Sequence, residues 1–184
     1  MEEVLKDGES RMEKTITTLK EELKKLRTGR ASPAILENIK VNYYGQEIPI
    51  MQIAGIGVPE PRLLVIKPYD KQVTSEIEKA ILKSGIGLNP RVEGGIIKIP
   101  IPPLSEERRK ELVKLVKKFG EDAKVALRNI RRDIMDKIKE KKEKGEVSED
   151  EAERLKKKVQ DLIEEKTKEV DEIVKVKEKE IMEE

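Results

Sequence analysis

The two ends of the chain share a pattern in which apolar residues recur at alternating steps of four and three among charged residues. This spacing places the apolar side chains on one face of a helix and is typical of helical bundles. Because glycine favours helix ends, we expect the first helix to end near Thr28 and Gly29. Its apolar positions are Met12, Ile16, Leu19, Leu23 and Leu26.

A second and longer helix is predicted after residue 104. Ser105 is a suitable N-cap, and Glu106 and Glu107 complement the positive end of the helix dipole. Apolar residues then repeat at helical spacing, so we expect the helix to continue to about residue 144. These residues are Leu112, Val116, Phe119, Ala123, Leu127, Ile130, Ile134 and Ile138.

A third helix is predicted after a short turn around Gly145. Ser148 and Glu151 have the spacing of a capping box, in which side chains satisfy backbone groups at the helix start. Because the turn is short, the second and third helices should pack as antiparallel neighbours. The apolar face of the third helix comprises Ala152, Leu155, Val159, Leu162, Ile163, Val170, Ile173 and Val174.

The middle of the chain differs in composition from both ends. All nine prolines lie between residues 33 and 103, together with all three tyrosines. Apolar runs on either side of Gly45, over residues 63–67 and over residues 96–99, predict short strands. Asp70 is a suitable cap for one helix that ends near Gly85. We expect a small unit with short strands packed on one helix.

The first helix needs partners for its apolar face, and the second and third helices can supply them. We therefore predict an α+β fold, with a long antiparallel three-helix bundle made of residues 1–29 and 105–184. Residues 30–104 form an inserted β/α/β sandwich domain, and the two connections lie side by side as a two-strand hinge. The predicted hinge residues are Thr28, Gly29, Ala31, Ser32, Pro33, Pro102, Pro103 and Leu104.

The absence of cysteine, histidine and tryptophan narrows the possible functions. Disulfides, thiolate nucleophiles, histidine acid–base catalysis and the usual zinc ligands are all excluded. Carboxylate pairs arise by chance in a chain with 42% charged residues, so a carboxylate-based hydrolase remains only a minor alternative. We expect a binding protein that is not an enzyme and needs no cofactor or metal.

The chain has no long apolar run and begins with Met-Glu-Glu, without a basic leader segment. We therefore expect neither a membrane span nor a secretory signal, and a cytoplasmic location.

Charge is unevenly distributed along the two long helices. Residues 105–147 contain 15 Lys and Arg against 10 Asp and Glu, whereas residues 148–184 contain 9 against 14. On the second helix, Lys124, Arg128, Arg131 and Arg132 fall on one side at 100° per residue. Arg131 should flank the core, and Arg128 and Arg132 should point outward. Such a stripe favours binding to the phosphates of RNA.

The basic residues also allow interpretations other than RNA binding. Arg131 and its neighbours could form ion pairs with Asp133 and the acidic third helix, as in a coiled-coil scaffold or chaperone. The helices lack aromatic platforms for bases, so bound RNA should be contacted through phosphate and shape.

Arg27 and Arg30, in one connection, could contact RNA or dock onto the bundle end. Arg108 and Arg109 lie near a helix N-terminus, where positive charge is unfavourable.

Several motifs, in order along nearly the whole chain, resemble those of bacterial ribosome recycling factors. They are residues 26–33 (LRTGRASP), residues 42–45 (NYYG), residues 87–90 (GLNP), residues 100–109 (PIPPLSEERR) and residues 125–133 (VALRNIRRD). The resemblance implies a monomeric, L-shaped, two-domain protein of roughly tRNA-like dimensions.

The resemblance also implies a function. The bundle would bind the large subunit of the 70S ribosome across the A and P sites after termination, in contact with ribosomal RNA. Elongation factor G would hydrolyse GTP and drive movement, so that the subunits separate from mRNA. The inserted domain would swing on the hinge. The residues implied to bind ribosomal RNA are Arg131, Arg128, Arg132, Asn129, Arg109, Arg30 and Arg27, and the stripe adds Lys124.

Overall fold

The computed structural model describes residues 2–183, which divide into two compact units. One unit is a bundle formed by the chain up to Leu26 and from Glu106 onward, and the other is the inserted unit Arg27–Ser105.

Three long helices form the bundle: α1 (Glu2–Lys24), α4 (Glu106–Glu143) and α5 (Glu149–Met182). Pairs of contacting residues between α1 and α4, and between α4 and α5, run in opposite directions along the two sequences. Arg11 bonds Asp133 and Lys137 lies near Asp7, while Arg131 bonds Gln160 and Lys124 pairs with Asp171. Both helix pairs are therefore antiparallel, and the predicted bundle is confirmed.

The start of α5 shows the Ser148 half of the predicted capping box. Ser148 Oγ accepts a hydrogen bond from the backbone N–H of Glu151 at 3.1 Å. This bond satisfies one of the amide groups that lack a partner at a helix start. The preceding turn includes Gly145 with φ +73°, a conformation that costs glycine little.

The predicted end of the first helix is wrong. α1 ends at Lys24, four residues before Thr28, and Thr28 is buried within the inserted unit. Arg27 donates a hydrogen bond from Nη1 to the carbonyl of Ile86 at 2.9 Å, which ties the chain to that unit. Gly29 has φ +80°, but it lies beyond the helix end that it was expected to mark.

Two glycines allow the bundle helices to approach closely. A Cβ atom on Gly120 would lie 2.6 Å from Cγ2 of Val174 in α5, and one on Gly8 would overlap Ile134 in α4. Gly120 is buried whereas Phe119 is half-buried. The apolar pattern predicts Phe119 as the seam residue, one position too early. Lys166 is also buried in α5, with Nζ 3.6 Å from Glu169 Oε2.

The inserted unit contains two antiparallel sheets and two short helices. Strands β1 (Lys40–Tyr43) and β2 (Gln46–Pro49) form the predicted hairpin, and α2 (Ile50–Ile53) follows. The second sheet has the order β3-β4-β6-β5, made of β3 (Ala54–Glu60), β4 (Leu63–Pro68), β5 (Arg91–Glu93) and β6 (Ile96–Pro100). Between β4 and β5 lies α3 (Thr74–Lys83), entered through a 3₁₀ turn at Lys71–Val73.

Apolar side chains from both sheets and from α3 share one core. It includes Leu64 and Ile66 of β4, Ile97 and Ile99 of β6, and Ile77 of α3. Asp70 caps the 3₁₀ turn by accepting a hydrogen bond from the N–H of Gln72 at 2.9 Å, as its position in the sequence predicts. Strands β3 and β5 were not predicted. The α+β class is confirmed.

Candidate nucleic-acid interface

The basic stripe of α4 lies where helical spacing places it. Arg128, Asn129 and Arg132 are exposed, whereas Arg131 is half-buried beside the seam residues Leu127 and Ile134. The stripe therefore combines one anchored guanidinium with two that extend into solvent. Guanidinium groups present N–H donors in a fork that matches the oxygens of a phosphate.

Arg131 is held by a neutral side chain of the neighbouring helix. Its Nε–H donates to Oε1 of Gln160 in α5 at 3.0 Å. The Gln160 amide in turn donates from Nε2 to Oε1 of Glu164 at 3.2 Å. Among residues 2–183, no carboxylate forms an ion pair with Arg131, so its charge is not neutralised by direct contact.

Other basic side chains of the stripe do form ion pairs. Lys124 pairs with Asp171 of α5, and its Nζ also lies 3.8 Å from Glu121 Oε1. Arg128 Nη2 lies 3.8 Å from Glu121 Oε2, at the long limit for such a contact. The ion-pair interpretation of the stripe therefore describes Lys124 well and Arg128 weakly.

Asp133 does not pair with the stripe. It accepts a hydrogen bond from Arg11 of α1 at 2.9 Å, on the side of α4 that faces the first helix. Within the described part of the chain, Arg132 has no ion pair or side-chain hydrogen bond. The charges of Arg131 and Arg132 therefore remain available to an anion.

A shallow groove of about 470 Å³ runs beside Arg131 between α4 and α5. Its walls carry basic, polar and apolar groups from both helices. They are Arg128, Arg131, Gln160, Ile163, Glu164, Thr167 and Lys168. Three of these side chains are cationic and one is anionic, so the groove has a net positive charge suited to a polyanion.

The remaining predicted RNA-binding residues lie away from this groove or in the other unit. Arg109 is half-buried in the first turn of α4, nineteen residues from Arg128, which is about 28 Å along a helix. Arg27 and Arg30 are exposed residues of the inserted unit, and Arg27 bonds the carbonyl of Ile86. The structure therefore does not bring all the predicted residues into one cluster.

One predicted hinge connection is fastened to the inserted unit. The N–H of Ala31 donates to the carbonyl of Pro61 at 2.7 Å. Ser32 caps a 3₁₀ turn that begins at Pro33, accepting a hydrogen bond from the N–H of Ala34 at 3.3 Å. Thr28 and Gly29 are both buried.

The other connection has irregular backbone over residues 101–105. The N–H of Ile101 donates to the carbonyl of Arg62 at 2.8 Å, beside the Pro61 carbonyl that receives Ala31. Pro102 and Pro103 are exposed and Leu104 is half-buried.

Sequence reasoning missed the contribution of α5 to this surface. Gln160, Thr167 and Lys168 line the groove but lie on the helix that the charge count marked as acidic. One signal was present: Gln160 is the single glutamine in the segments that form the bundle. Unlike the lysine and glutamate side chains around it, an amide can both donate and accept hydrogen bonds.

Two other kinds of site are absent from residues 2–183. No group of three or more Asp or Glu residues is arranged to hold a metal ion. No helix in that range has the length and apolar character needed to cross a membrane.

Comparison with known proteins identifies relatives over the full length of the chain. The family model described as "Ribosome recycling factor" matches residues 19–182. The ribosome-recycling factor of Geobacillus sp. (strain WCH70) is 51% identical over 183 residues, covering 100% of this chain and 99% of the relative. That of Halalkalibacterium halodurans is 54% identical over 181 residues, covering 98% of each.

Solved structures agree with these relatives. A solution structure of a ribosome recycling factor is 42% identical, with a TM-score of 0.76 over 98% of this chain and 96% of the other. A model of the T. thermophilus ribosome recycling factor is also 42% identical, with a TM-score of 0.65 and 98% coverage of each chain. It is described, together with E. coli elongation factor G, as bound to the E. coli post-termination complex. The resemblance seen in the motifs is confirmed, and the chain belongs to the ribosome recycling factor family.

Proposed function

We propose that this protein recycles ribosomes after termination. It binds the large subunit across the A and P sites and, together with elongation factor G, splits the post-termination complex so that the ribosome leaves the mRNA. Membership of the family supports this role, as does the 42% identical factor described with elongation factor G on a post-termination complex. The protein acts by binding, as a non-enzymatic translation factor, and elongation factor G hydrolyses the GTP.

The RNA-binding part of this proposal rests on one observation: the Arg131 guanidinium is anchored but keeps its positive charge. Its guanidinium is anchored through Nε to a neutral amide, and no carboxylate of residues 2–183 neutralises it. Arg128 and Arg132 extend into solvent one turn or less away, with Asn129 between them. These side chains bind phosphates of large-subunit ribosomal RNA, and Arg27, Arg30 and Arg109 add contacts elsewhere. Lys124 contributes charge while paired with Asp171.

The experiment that tests this binding compares Arg131→Ala with Arg154→Ala. Arg154 is an exposed arginine of α5 that pairs at 3.9 Å with Glu151 and does not line the groove. Binding to purified large subunits is measured by co-sedimentation, and stability by thermal unfolding. We expect Arg131→Ala to weaken binding about tenfold or more, because a hydrogen-bonded charged contact contributes about 1.5–3 kcal/mol. Arg154→Ala should bind normally. Normal binding with a large loss of stability in Arg131→Ala would support an internal structural role instead.

The two connections provide the movement in this mechanism. They cross between the bundle and the inserted unit near residues 26–30 and 102–105, where the backbone is irregular. Ala31 and Ile101, by contrast, are hydrogen-bonded to the inserted unit through their backbones, and Arg27 through its side chain, so we place the bending segments on the bundle side of Arg27 and of Ile101. The inserted unit swings on these segments when elongation factor G acts on it, while the bundle stays bound. The protein works as a cytoplasmic monomer.

A crosslink tests the hinge. The chain has no cysteine, so one cysteine introduced into each connection allows a thiol crosslinker to join the two connections and stiffen them. We expect the crosslinked protein to bind large subunits normally but to lose splitting of post-termination complexes. The same double variant without crosslinker is the control and should split them. Full activity of the crosslinked form would contradict the swinging motion.

A further inference from the structure

Gln160 of α5 forms a hydrogen bond with the basic stripe of α4. Its Oε1 accepts from Nε of Arg131 at 3.0 Å, across the groove between the two helices. Both residues are half-buried, so the bond is partly shielded from competing water. A shielded hydrogen bond restricts the side chains that it joins more than an exposed one does.

The hydrogen bond to Gln160 uses one N–H donor of Arg131, and this determines which of its donors remain free. A guanidinium has five N–H donors, one on Nε and four on the two terminal nitrogens. Because Gln160 takes the Nε–H, the terminal Nη1 and Nη2 groups keep their donors, and no other residue of 2–183 bonds them. The long side chain is thus fixed at its base, with its end presented as a fork. Fixing the donors before binding lowers the conformational entropy lost when a phosphate is bound.

Gln160 is itself held in one orientation. Its Nε2 donates to Oε1 of Glu164, one turn further along α5, at 3.2 Å. This bond assigns the amide nitrogen to Glu164 and therefore the amide oxygen to Arg131. The carboxylate thus orients Arg131 through an intervening neutral group without forming an ion pair with it.

The contrast with Lys124 shows what a charged partner would do. Lys124 lies seven residues before Arg131 on α4 and pairs directly with the carboxylate of Asp171 in α5. Such a pair must be broken or shared before the cation can bind a phosphate. A glutamine at position 160 gives Arg131 the same anchorage on α5 while leaving its positive charge unneutralised.

We infer that Gln160 is a positioning residue for RNA binding: it orients the Arg131 guanidinium toward a backbone phosphate without neutralising its charge. The inference rests on the proposed function, since it assumes that Arg131 contacts ribosomal RNA. It adds α5 to an interface whose predicted residues within the bundle all lie on α4. It also gives a reason for a neutral amide at this point of α5, beside the charged Glu164 and Lys168 that line the same groove.

The first test removes the acceptor. Gln160→Met keeps an unbranched side chain of similar length but cannot hold the Arg131 Nε–H. We expect the Nε–H signal of Arg131 in ¹⁵N NMR spectra to shift and to exchange faster with water. Affinity for large subunits should fall about two- to tenfold, corresponding to a hydrogen bond that contributes about 0.5–1.5 kcal/mol. Wild-type affinity together with an unchanged Arg131 signal would overturn the inference.

A second variant separates orientation from charge. Gln160→Glu still accepts from the Arg131 Nε–H but introduces a carboxylate that neutralises the guanidinium. We expect it to keep the slow exchange of the Arg131 Nε–H yet to bind large subunits more weakly than the wild type, without a matching loss of thermal stability. Affinity equal to or above that of the wild type would contradict the need for a neutral partner.

A double-mutant cycle distinguishes failure of this inference from failure of the proposed function. In an Arg131→Ala background, Gln160→Met should cause no further loss of affinity, because the side chain that it positions is gone. A further several-fold loss would show that Gln160 acts independently and would overturn the positioning role. If Arg131→Ala alone binds like the wild type, the RNA-binding role of Arg131 fails and the inference fails with it.

Discussion

The bundle and the inserted unit bury their apolar side chains in different ways. In the bundle, each helix contributes a single line of buried residues, and most other positions are charged and exposed. In the inserted unit, strands and one helix enclose a shared core in which residues such as Leu64, Ile66 and Ile97 are fully buried. The bundle presents long charged faces along its helices, whereas the inserted unit gathers its buried apolar side chains around one centre.

The two units also give separate spectroscopic signals. All three tyrosines lie in the inserted unit and the chain has no tryptophan, so intrinsic fluorescence reports on that unit. Helices α1, α4 and α5 supply most of the helical residues, so circular dichroism at 222 nm reports chiefly on the bundle. Substitutions in each core should therefore affect different signals.

The largest effect on stability is expected from Leu64→Ala, which leaves a cavity in the core of the inserted unit. Leu64 is fully buried on β4, and such truncations destabilise by about 2–5 kcal/mol. Denaturant unfolding followed by tyrosine fluorescence should shift to lower concentration, while the transition at 222 nm moves little. Equal shifts of both transitions would show that the two units unfold as one.

A smaller effect, of unusual sign, is expected from Gly120→Ala in the bundle. Alanine normally stabilises a helix by about 1 kcal/mol relative to glycine. Here the new Cβ would lie 2.6 Å from Cγ2 of Val174, and overpacking costs about 1–3 kcal/mol. We expect the 222 nm transition to occur at lower denaturant concentration. Adding Val174→Ala should restore stability. Stabilisation by the single substitution would mean that the helices separate easily at this point.

Within the basic stripe of the bundle, Arg132 and Lys124 are expected to differ in their effects on binding and on stability. Arg132→Ala should weaken binding to large subunits about fivefold and leave stability unchanged, because Arg132 is exposed and has no ion pair among residues 2–183. Lys124→Ala should reduce stability by about 0.2–1 kcal/mol through loss of its pair with Asp171, with a smaller effect on binding. Co-sedimentation and thermal unfolding measure the two properties. The reverse ranking of the two variants in binding would contradict this division of roles.

The smallest effect concerns pH and the inserted unit. The Tyr44 hydroxyl donates to Asp70 at 2.6 Å, and this bond, followed by that from the Gln72 N–H, lowers the pKa of Asp70 below its ordinary value of 3.8. The stabilisation is therefore complete above that value and is lost as the pH falls through the lowered pKa. Tyr44→Phe should be less stable than the wild type at pH 6, and the difference should shrink as the pH falls below 3.8. A difference independent of pH would exclude this carboxylate as its cause.

The bundle was predictable from sequence because its helices are long and their apolar periodicity is sustained. The same periodicity identifies a face but not the depth of each residue. It therefore favoured Phe119 over the buried Gly120 and missed Lys166, whose side chain occupies a seam position of α5. The end of α1 was misplaced because the contact of Arg27 with Ile86 depends on tertiary structure.

The missed strands of the inserted unit lack the usual sequence signals. Strand β3 includes Gly55, Gly57 and Pro59, which are poor strand formers, and β5 is a three-residue exposed strand at the sheet edge. For the candidate interface, helical spacing located the arginines of α4. It could not locate Gln160, because a contact between helices depends on their register, which the sequence pattern does not specify.

The central claim is that arginines of the bundle bind RNA phosphates, and the salt dependence of binding tests it most directly. The affinity for large ribosomal subunits is measured from low to high salt for the wild type and for a variant combining Arg128→Ala, Arg131→Ala and Arg132→Ala. Each lost phosphate contact lowers the slope of log affinity against log salt by about 0.7–0.9. We expect the variant to bind more weakly, with a slope shallower by about 2–3. An unchanged slope would contradict the claim.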